Sequence, residues 1–519
     1  MRSKIKESLF CKIFNTLAII LFFVLFYYSL SVTGIDHEIF VLERVLLQQN
    51  SIIDSILKLC GMLLLYMFLG RLAKYIESRK VRNIILGMAC FVSCIISIYW
   101  VYASKSAPQA DQRIICQYAD AFNMGDFAGF NKGIYVARYP QQIGMITLLR
   151  VLFSFFGMYQ YQSFQYMSAL LVPLMVLSGC KIVRILSNDN VKAEVYYLVS
   201  ILVCFPMYTY TSFVYGDFIS TVFAMLAVWM YLSAVKSFAW YKVVLFGMFI
   251  GIAVQLRTNL LILVIAIAIV TILKLVFDRN CKNLVLLLAL VIGVSTFYAA
   301  IGGLYHNVRK ADAPAIPALL YVVMGLNDDY QRPGWHNNYE YATFALANDD
   351  VEAAKEKALV DLKMYVEIYR NDPQYMLDFF TRKMNAQWNA PMYQALSMNT
   401  NIEGTQTRIV SELYEENSRL NNLVEFVMKM LQMLTYGSIL YWLVLKRKKL
   451  SNIENYVLLI AVFGGFIFSM IWEAKTRYVM PYFFMMLPHM ALGVCEIVAY
   501  IEKKLSDKVY LEKSEKKNQ

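Results

Sequence analysis

Long apolar runs separated by short polar turns dominate this chain. Runs of about 20 apolar residues, each long enough to cross a ~30 Å hydrocarbon core, recur at 12–34, 52–75, 83–104, 160–186, 194–212, 217–236, 240–257, 259–277, 283–304, 424–445, 454–472 and 478–501. The pattern predicts an all-α polytopic membrane protein with about 12 transmembrane helices (11–13). The first run follows MRSKIKES. Its apolar part is too long for a signal-peptide h-region, and no small-x-small cleavage site follows, so it reads as a retained span. The apolar segment 142–156 is short for a crossing, and the expectation is a helix lying in or dipping into the outer interface.

Two polar stretches interrupt the rhythm, 105–159 and 305–423. Within the second, residues 350–370 (DVEAAKEKALVDLKMYVEIYR) have helix-forming composition with apolar residues on one face. NDP (371–373) ends that helix, and a second amphipathic stretch runs from Gln374 to Gln387. The region is expected to be mainly helical and to pack on the membrane face. The chain then divides into N-terminal helices with a basic turn (1–82), a transmembrane core (83–304) carrying the first outer loop (105–159), a loop domain (305–423), C-terminal helices (424–501) and a basic tail (502–519). No internal repeat or Gly/Ser linker is visible.

Composition agrees with a membrane protein. Of 519 residues, 59% are hydrophobic and 17% charged, against about 25% in soluble proteins. The net charge of +12 is explained by turns that hold topology, so no nucleic-acid partner is implied. Arg71, Lys74, Arg79, Lys80 and Arg82 form one basic cluster, and Lys446, Arg447, Lys448 and Lys449 another. Lys181, Arg184 and Lys192 mark a third turn, and Lys274, Arg279 and Lys282 a fourth. Twelve spans with both termini in the cytoplasm put every cluster inside, as the positive-inside rule prefers. The expected location is the plasma membrane, with 105–159 and 305–423 outside. Of nine Cys, only Cys116 falls clearly outside, so no intrachain disulfide is expected there. No Cys/His spacing suggests zinc. His306 and His336 fall outside and are ordinary interface residues on the simplest reading.

On this topology, unusual polar residues gather on the outer side. Asp111 and Gln112 follow the third span, within PQADQ (108–112), and Asp120 is a second acid in the same loop. Arg138 precedes Tyr139-Pro140, which leads into the segment 142–156. Asp217 lies at the outer end of the sixth span. Gln255, Arg257, Thr258 and Asn259 break two apolar helices, and WEAKTRY (472–478) fills the last outer turn. Ionisable groups at membrane depth are costly and usually mark a pathway or a site. Trp335 and Trp388 are candidates for ring stacking on a ligand, with core packing the simpler reading.

Asp111, Tyr139-Pro140, Asp217 and Arg477-Tyr478 together resemble the GT-C superfamily of membrane glycosyltransferases. The likeness is to the protein O-mannosyltransferase and aminoarabinose-transferase branch, in its Gram-positive form. It covers residues 83–310 and 454–490. Asp-Gln (111–112) stands where protein mannosyltransferases have paired acids, Gln141 stands where many relatives have a second Pro, and two additional spans precede the core. The resemblance implies a GT-C-like helical bundle and an inverting enzyme. Such an enzyme would move a sugar from a polyprenyl-phosphate donor to an acceptor hydroxyl on an envelope glycan, teichoic acid or protein.

Phosphate is already a good leaving group, so one carboxylate suffices, as a base on the acceptor hydroxyl. Asp111 is the expected base. Arg257 and Arg477, with Lys475 and Arg138 behind them, are expected to face the growing phosphate charge. Gln112, Asp120, Tyr139, Pro140, Asp217 and Tyr478 are expected to support the site. No cofactor is assigned; a divalent metal stays open, and Asp111 with Asp217 is the pair it would use. Two alternatives use other chemistry: a polysaccharide polymerase or ligase relying on outer-loop arginines, and a flippase or transporter, which should show repeats and polar groups at the midplane.

Overall fold

The computed structural model describes residues 2–39, 42–329, 332–446 and 452–515, with the side chains of 2–8, 37–39, 42–43, 446 and 508–515 outside the description. Arg447, Lys448 and Lys449 of the predicted basic turn, and Lys516 and Lys517 of the tail, lie outside it. The chain is all-α and polytopic. Its membrane-length helices are α1 (Arg2–Ser31), α2 (Ile52–Leu72), α3 (Arg79–Ser104), and, after two shorter helices α4 (Ala110–Asn123) and α5 (Ile143–Phe156), α6 (Tyr161–Leu186). Then come α7 (Val191–Leu202), α8 (Gly216–Lys236), α9 (Trp240–Leu256), α10 (Leu261–Asp278) and α11 (Cys281–Leu304). The polar stretch holds α12 (Ala318–Gly325), α13 (Val351–Asn371) and α14 (Pro373–Trp388), and the chain closes with α15 (Arg419–Lys446), α16 (Val457–Ile471) and α17 (Met480–Glu515).

Each of the twelve expected spans falls on helix. Ten helices among the described residues are long and apolar enough to cross a membrane alone. The fifth span is a broken one: α7 and the turn Pro206–Ser212 meet at 57°. The seventh, α9, is a shorter apolar helix. Proline cannot continue a hydrogen-bonded helix from α7, which accounts for the break at Pro206. Helix α5 has 14 residues, roughly 21 Å of rise at ~1.5 Å per residue, too short to span. It ends at Gly157, whose φ of 108° is open to glycine but not to residues with a Cβ.

Local chemistry sets many helix starts. Ser51 accepts the Asp54 N–H, Asn190 those of Lys192 and Ala193, Asp350 those of Glu352 and Ala353, and Asp372 that of Tyr375. Such caps satisfy donors the helix leaves open. The polar stretch 305–423 shares its core with the spans. Trp100 and Ala103 of α3 bury with Val410 and Leu413. Buried Lys383 of α14 donates to Gly325 O, and to Met470 O and Trp472 O at 2.9 and 2.8 Å, closing the end of α16.

Two features differ from expectation. Residues 32–49, read as a span end and a short turn, form an antiparallel hairpin, β1 (Val32–Ile39) with β2 (Leu42–Gln49), paired from Val32↔Gln49 to Ile39↔Leu42. β-Branched Val32, Thr33, Ile35 and Val45 suit pleated strands, and the Gly34 N–H donates to Asn389 O in the loop after α14 at 2.7 Å. The tail 502–519 does not begin where the last span was drawn to end; α17 runs through to Glu515, because Ile501 to Glu515 contains no Gly or Pro to stop it. Cys116 is buried.

At one end of the bundle the basic turns converge. Arg82 and Arg184 both bind Glu194, Lys192 meets Glu502 at 2.9 Å, and Lys274 meets Glu454 at 2.9 Å. The opposite end gathers the loops that carry Asp111, Tyr139, Asp217, Arg257 and Arg477.

Candidate functional site

The loop after α3 places Asp111 in the first turn of α4. Its neighbours do the tethering. Gln109 accepts from Asn401 N and Thr400 Oγ1, both at 3.0 Å. Gln112 donates to Met398 O at 3.1 Å and accepts from Val214 N at 2.8 Å. Asp111 itself makes no hydrogen bond or ion pair among the described residues and is only partly buried. It lies within electrostatic reach of Tyr135, Tyr139 and Tyr215.

Tyr139 precedes a turn that opens on Pro140, and its ring packs on Tyr135 at 4.9 Å. Its hydroxyl donates to Glu340 at 3.5 Å. Burial first, then the charges of Glu340 and Asp111, raise its pKa, with Arg138 acting the other way; it is a neutral donor. Gln142, three residues on, donates to the Tyr215 hydroxyl.

Two glycines bring the remaining segments together. A Cβ on Gly144 would lie 2.0 Å from Gln255 O, and one on Gly216 would lie 2.1 Å from Leu256 O. Only glycine lets the starts of α5 and α8 touch the end of α9, where Arg257 begins a turn. Arg257 thereby meets Asp217 at 3.2 Å. Its guanidinium also stands over Tyr215 at 5.2 Å and Tyr478 at 5.1 Å. Arg477 lies over the same two rings, at 5.3 and 5.4 Å, and over Phe213 at 5.5 Å. Two arginines thus share two tyrosines, an arrangement that holds like charges close through cation–π attraction. Asp217 is 1% exposed, and its Oδ2 has no hydrogen-bond partner.

A second acidic group lines the Tyr139 side. Buried Glu473 accepts from Tyr478 at 3.1 Å. Buried Glu340 lies 3.4 Å from His336 Nε2, and its Oε2 is unpartnered. Burial disfavours charged His336, but the Glu340 hydrogen bond and the Glu473 charge outweigh it, so its pKa is raised, with buried Lys475 opposing.

The loops therefore bring together Asp111, Gln112, Tyr139, Pro140, Asp217, Arg257, Arg477 and Tyr478, with Lys475 near His336. Two expected residues stand apart. Arg138 is taken by Asp349, 2.7 Å from both Nε and Nη2, and lies over Tyr341 at 4.5 Å. This buried pair fastens the 305–423 stretch to the first outer loop. Asp120 lies nine residues along α4 from Asp111, roughly 14 Å away, and accepts the Tyr159 N–H at 2.9 Å. Its pKa is raised, by burial first, with that hydrogen bond opposing. The metal expectation also meets a poor fit. Asp217 already faces a guanidinium, and among the described residues no group of three His, Cys, Asp or Glu is placed to hold an ion. Trp388 donates to Ser469 Oγ and is fully buried, and Trp335 packs on Ala386 and Ala474, so both tryptophans are core. His306 is exposed.

Sequence reading did not single out Tyr215 as the shared ring, Glu340, or Asp36. Tyr215 was visible beside Asp217; Glu340 and Asp36 carry no local signal.

No family model matches the chain, and no curated protein does. Among solved structures it is similar to the oligosaccharyltransferase of Archaeoglobus fulgidus in its apo form, with 14% identity and a TM-score of 0.43. The likeness covers 82% of this chain and 52% of that one, so this chain spans about half its length.

Proposed function

We propose that this chain is an integral-membrane inverting glycosyltransferase. It moves a sugar from a polyprenyl-phosphate donor to an acceptor hydroxyl of a cell-envelope glycan, teichoic acid or protein, at the outer face of the plasma membrane, with both termini cytoplasmic. The observation that carries the reading is the unpaired Asp111 carboxylate set in the same loop cluster as the Arg257–Arg477 pair. A base needs a free lone pair; a leaving phosphate needs fixed cations.

In the reaction, Asp111 takes the proton of the acceptor hydroxyl as its oxygen attacks the anomeric carbon. The bond from that carbon to the phosphate oxygen breaks on the opposite face, and its electron pair leaves with the polyprenyl phosphate. Arg257 and Arg477 face that growing charge. Tyr139 and Gln142 hold the wall between base and phosphate, and Asp217 holds Arg257. No metal is assigned a step. One free acid fits transfer better than hydrolysis, which uses two carboxylates flanking the scissile bond.

The test is mass spectrometry of envelope glycans from a strain lacking the gene, complemented with wild type or Asp111→Asn at equal membrane levels. A sugar lost on deletion, restored by wild type and not by Asp111→Asn, is expected, since losing a general base slows transfer by about 10²–10⁴-fold. Full restoration by Asp111→Asn would remove Asp111 as base and favour the polymerase or flippase readings.

A further inference from the structure

The two spans that precede the core deliver a hairpin, and the hairpin reaches the site. Asn50 N donates to Ser31 O at 2.7 Å, and Ser55 Oγ to Leu30 O at 2.8 Å, so α1 and α2 clamp the hairpin's base. The hairpin is seated by Gly34 N on Asn389 O at 2.7 Å and by buried Lys429 Nζ on Val32 O at 2.6 Å. Val45 and Leu47 pack against Trp335, Ala386 and Ala474.

This seating carries Asp36 to the Arg477 turn. Asp36 Oδ2 accepts the Gln394 N–H at 2.7 Å, and Oδ1 accepts the Thr476 hydroxyl at 3.2 Å. Gln394 in turn accepts the Arg477 N–H on its side-chain oxygen at 3.3 Å. Asp36 thus holds the residue before Arg477 directly and Arg477 itself through Gln394. The Gln394 backbone is left-handed at φ 59°, and Tyr393 before it at φ 51°. Two consecutive non-glycine residues there are strained, because a Cβ crowds the following carbonyl in the left-handed region, so the turn needs external anchors. Asp36 is one; the Tyr210 hydroxyl on Tyr393 O is the other. Tyr210 also lies within electrostatic reach of Asp36, Asp217, Arg257 and Arg477 together, which places Asp36 in the same charge cluster as the arginines.

We propose that Asp36, brought in by the N-terminal hairpin, is a positioning residue that fixes Arg477 for the donor phosphate. The inference rests on the donor-phosphate reading above. It gives the two additional spans a role, since they hold the strand that completes the cation pair. Arg257 is oriented by Asp217 within the core, and Arg477 by Asp36 from outside it.

The experiment measures binding of undecaprenyl phosphate and of undecaprenol to the purified full chain in lipid nanodiscs. Wild type is expected to prefer the phosphate. Asp36→Ala is expected to reduce that preference on the order of tenfold, the effect of mis-aiming one charge-assisted contact. Arg477→Ala should do the same, and the double variant should lose no more than the larger single. Asp36→Asn, which keeps the shape and one acceptor oxygen, guards against misfolding and should fall between. Asn50→Ala, which removes the 2.8 Å contact to Thr33 at the hairpin base, is the control: it should lower thermal stability without changing the preference. An unchanged preference in Asp36→Ala beside a lost one in Arg477→Ala overturns the positioning role, as do additive losses. A wild type that binds alcohol and phosphate alike overturns the donor reading itself, and this inference with it.

Discussion

Arg257→Met separates the two halves of the buried pair at the site. The guanidinium lies 3.2 Å from Asp217 Oδ1. At an effective dielectric of about 20, unit charges at that distance attract by roughly 5 kcal/mol. The two partners are not equally dependent on it. Asp217 is 1% exposed with one oxygen already unpartnered, so Met at 257 leaves a carboxylate buried without a counter-charge. Breaking a buried pair in that way costs about 3–5 kcal/mol, a factor of roughly 10²–10⁴ in the folding equilibrium. Asp217→Asn should cost much less. The Arg257 side chain is 13% exposed, and the Tyr215 and Tyr478 faces still attract it, by about 0.5–2 kcal/mol each. The double variant removes both charges and should regain most of what Arg257→Met loses. The assay is thermal unfolding of the detergent-purified protein, followed by fluorescence-detected size exclusion. The expected order is wild type, then Asp217→Asn and the double variant, with Arg257→Met lowest. Equal losses in the two single variants, or a double variant less stable than Arg257→Met, would refute the reasoning.

Other expectations follow from the same geometry. Gly144→Ala should destabilise by about 1–3 kcal/mol or more, because its Cβ meets a backbone carbonyl at 2.0 Å that cannot move aside; Gly61→Ala, which meets nothing within 4 Å in α2, should be neutral or stabilising by up to ~1 kcal/mol, and thermal unfolding of both checks this. His336 has a raised pKa in the folded chain. Its contribution is therefore complete below the unfolded value of about 6.5 and is lost as pH rises through the raised one. Melting temperature should fall across that window in wild type, and His336→Gln should flatten the slope; an unchanged slope in the variant would place the titration elsewhere.

Much of the architecture was legible in the chain, for a local reason. A span declares itself within about 20 residues, because crossing a hydrocarbon layer demands apolar side chains throughout and a backbone that satisfies itself. The helices at 351–371 and 373–388 were equally local, fixed by an aspartate cap at Asp350 and a break at Asp372-Pro373. The hairpin was not legible. Its strands are short, continue an apolar span, and are stabilised by the loop after α14 far along the chain. The site divides the same way. Polar residues in apolar surroundings, such as Arg257, stand out by composition. Arg138 stands out equally, yet only its partner Asp349 shows that its charge is already taken.

Hydropathy and helix caps in the sequence alone determined an all-α polytopic chain, ten of whose described helices are long and apolar enough to cross a membrane, and the positions of the loops that gather its unusual charges. The tertiary structure decided which of those charges are free. It paired Arg257 with Asp217, occupied Arg138, left Asp111 without a partner among the described residues, and set Asp36 on Thr476, 440 residues away. The reason is physical: burial of an apolar segment depends on its own side chains, whereas the state of a charge depends on its nearest opposite charge. That neighbour is set by chain packing.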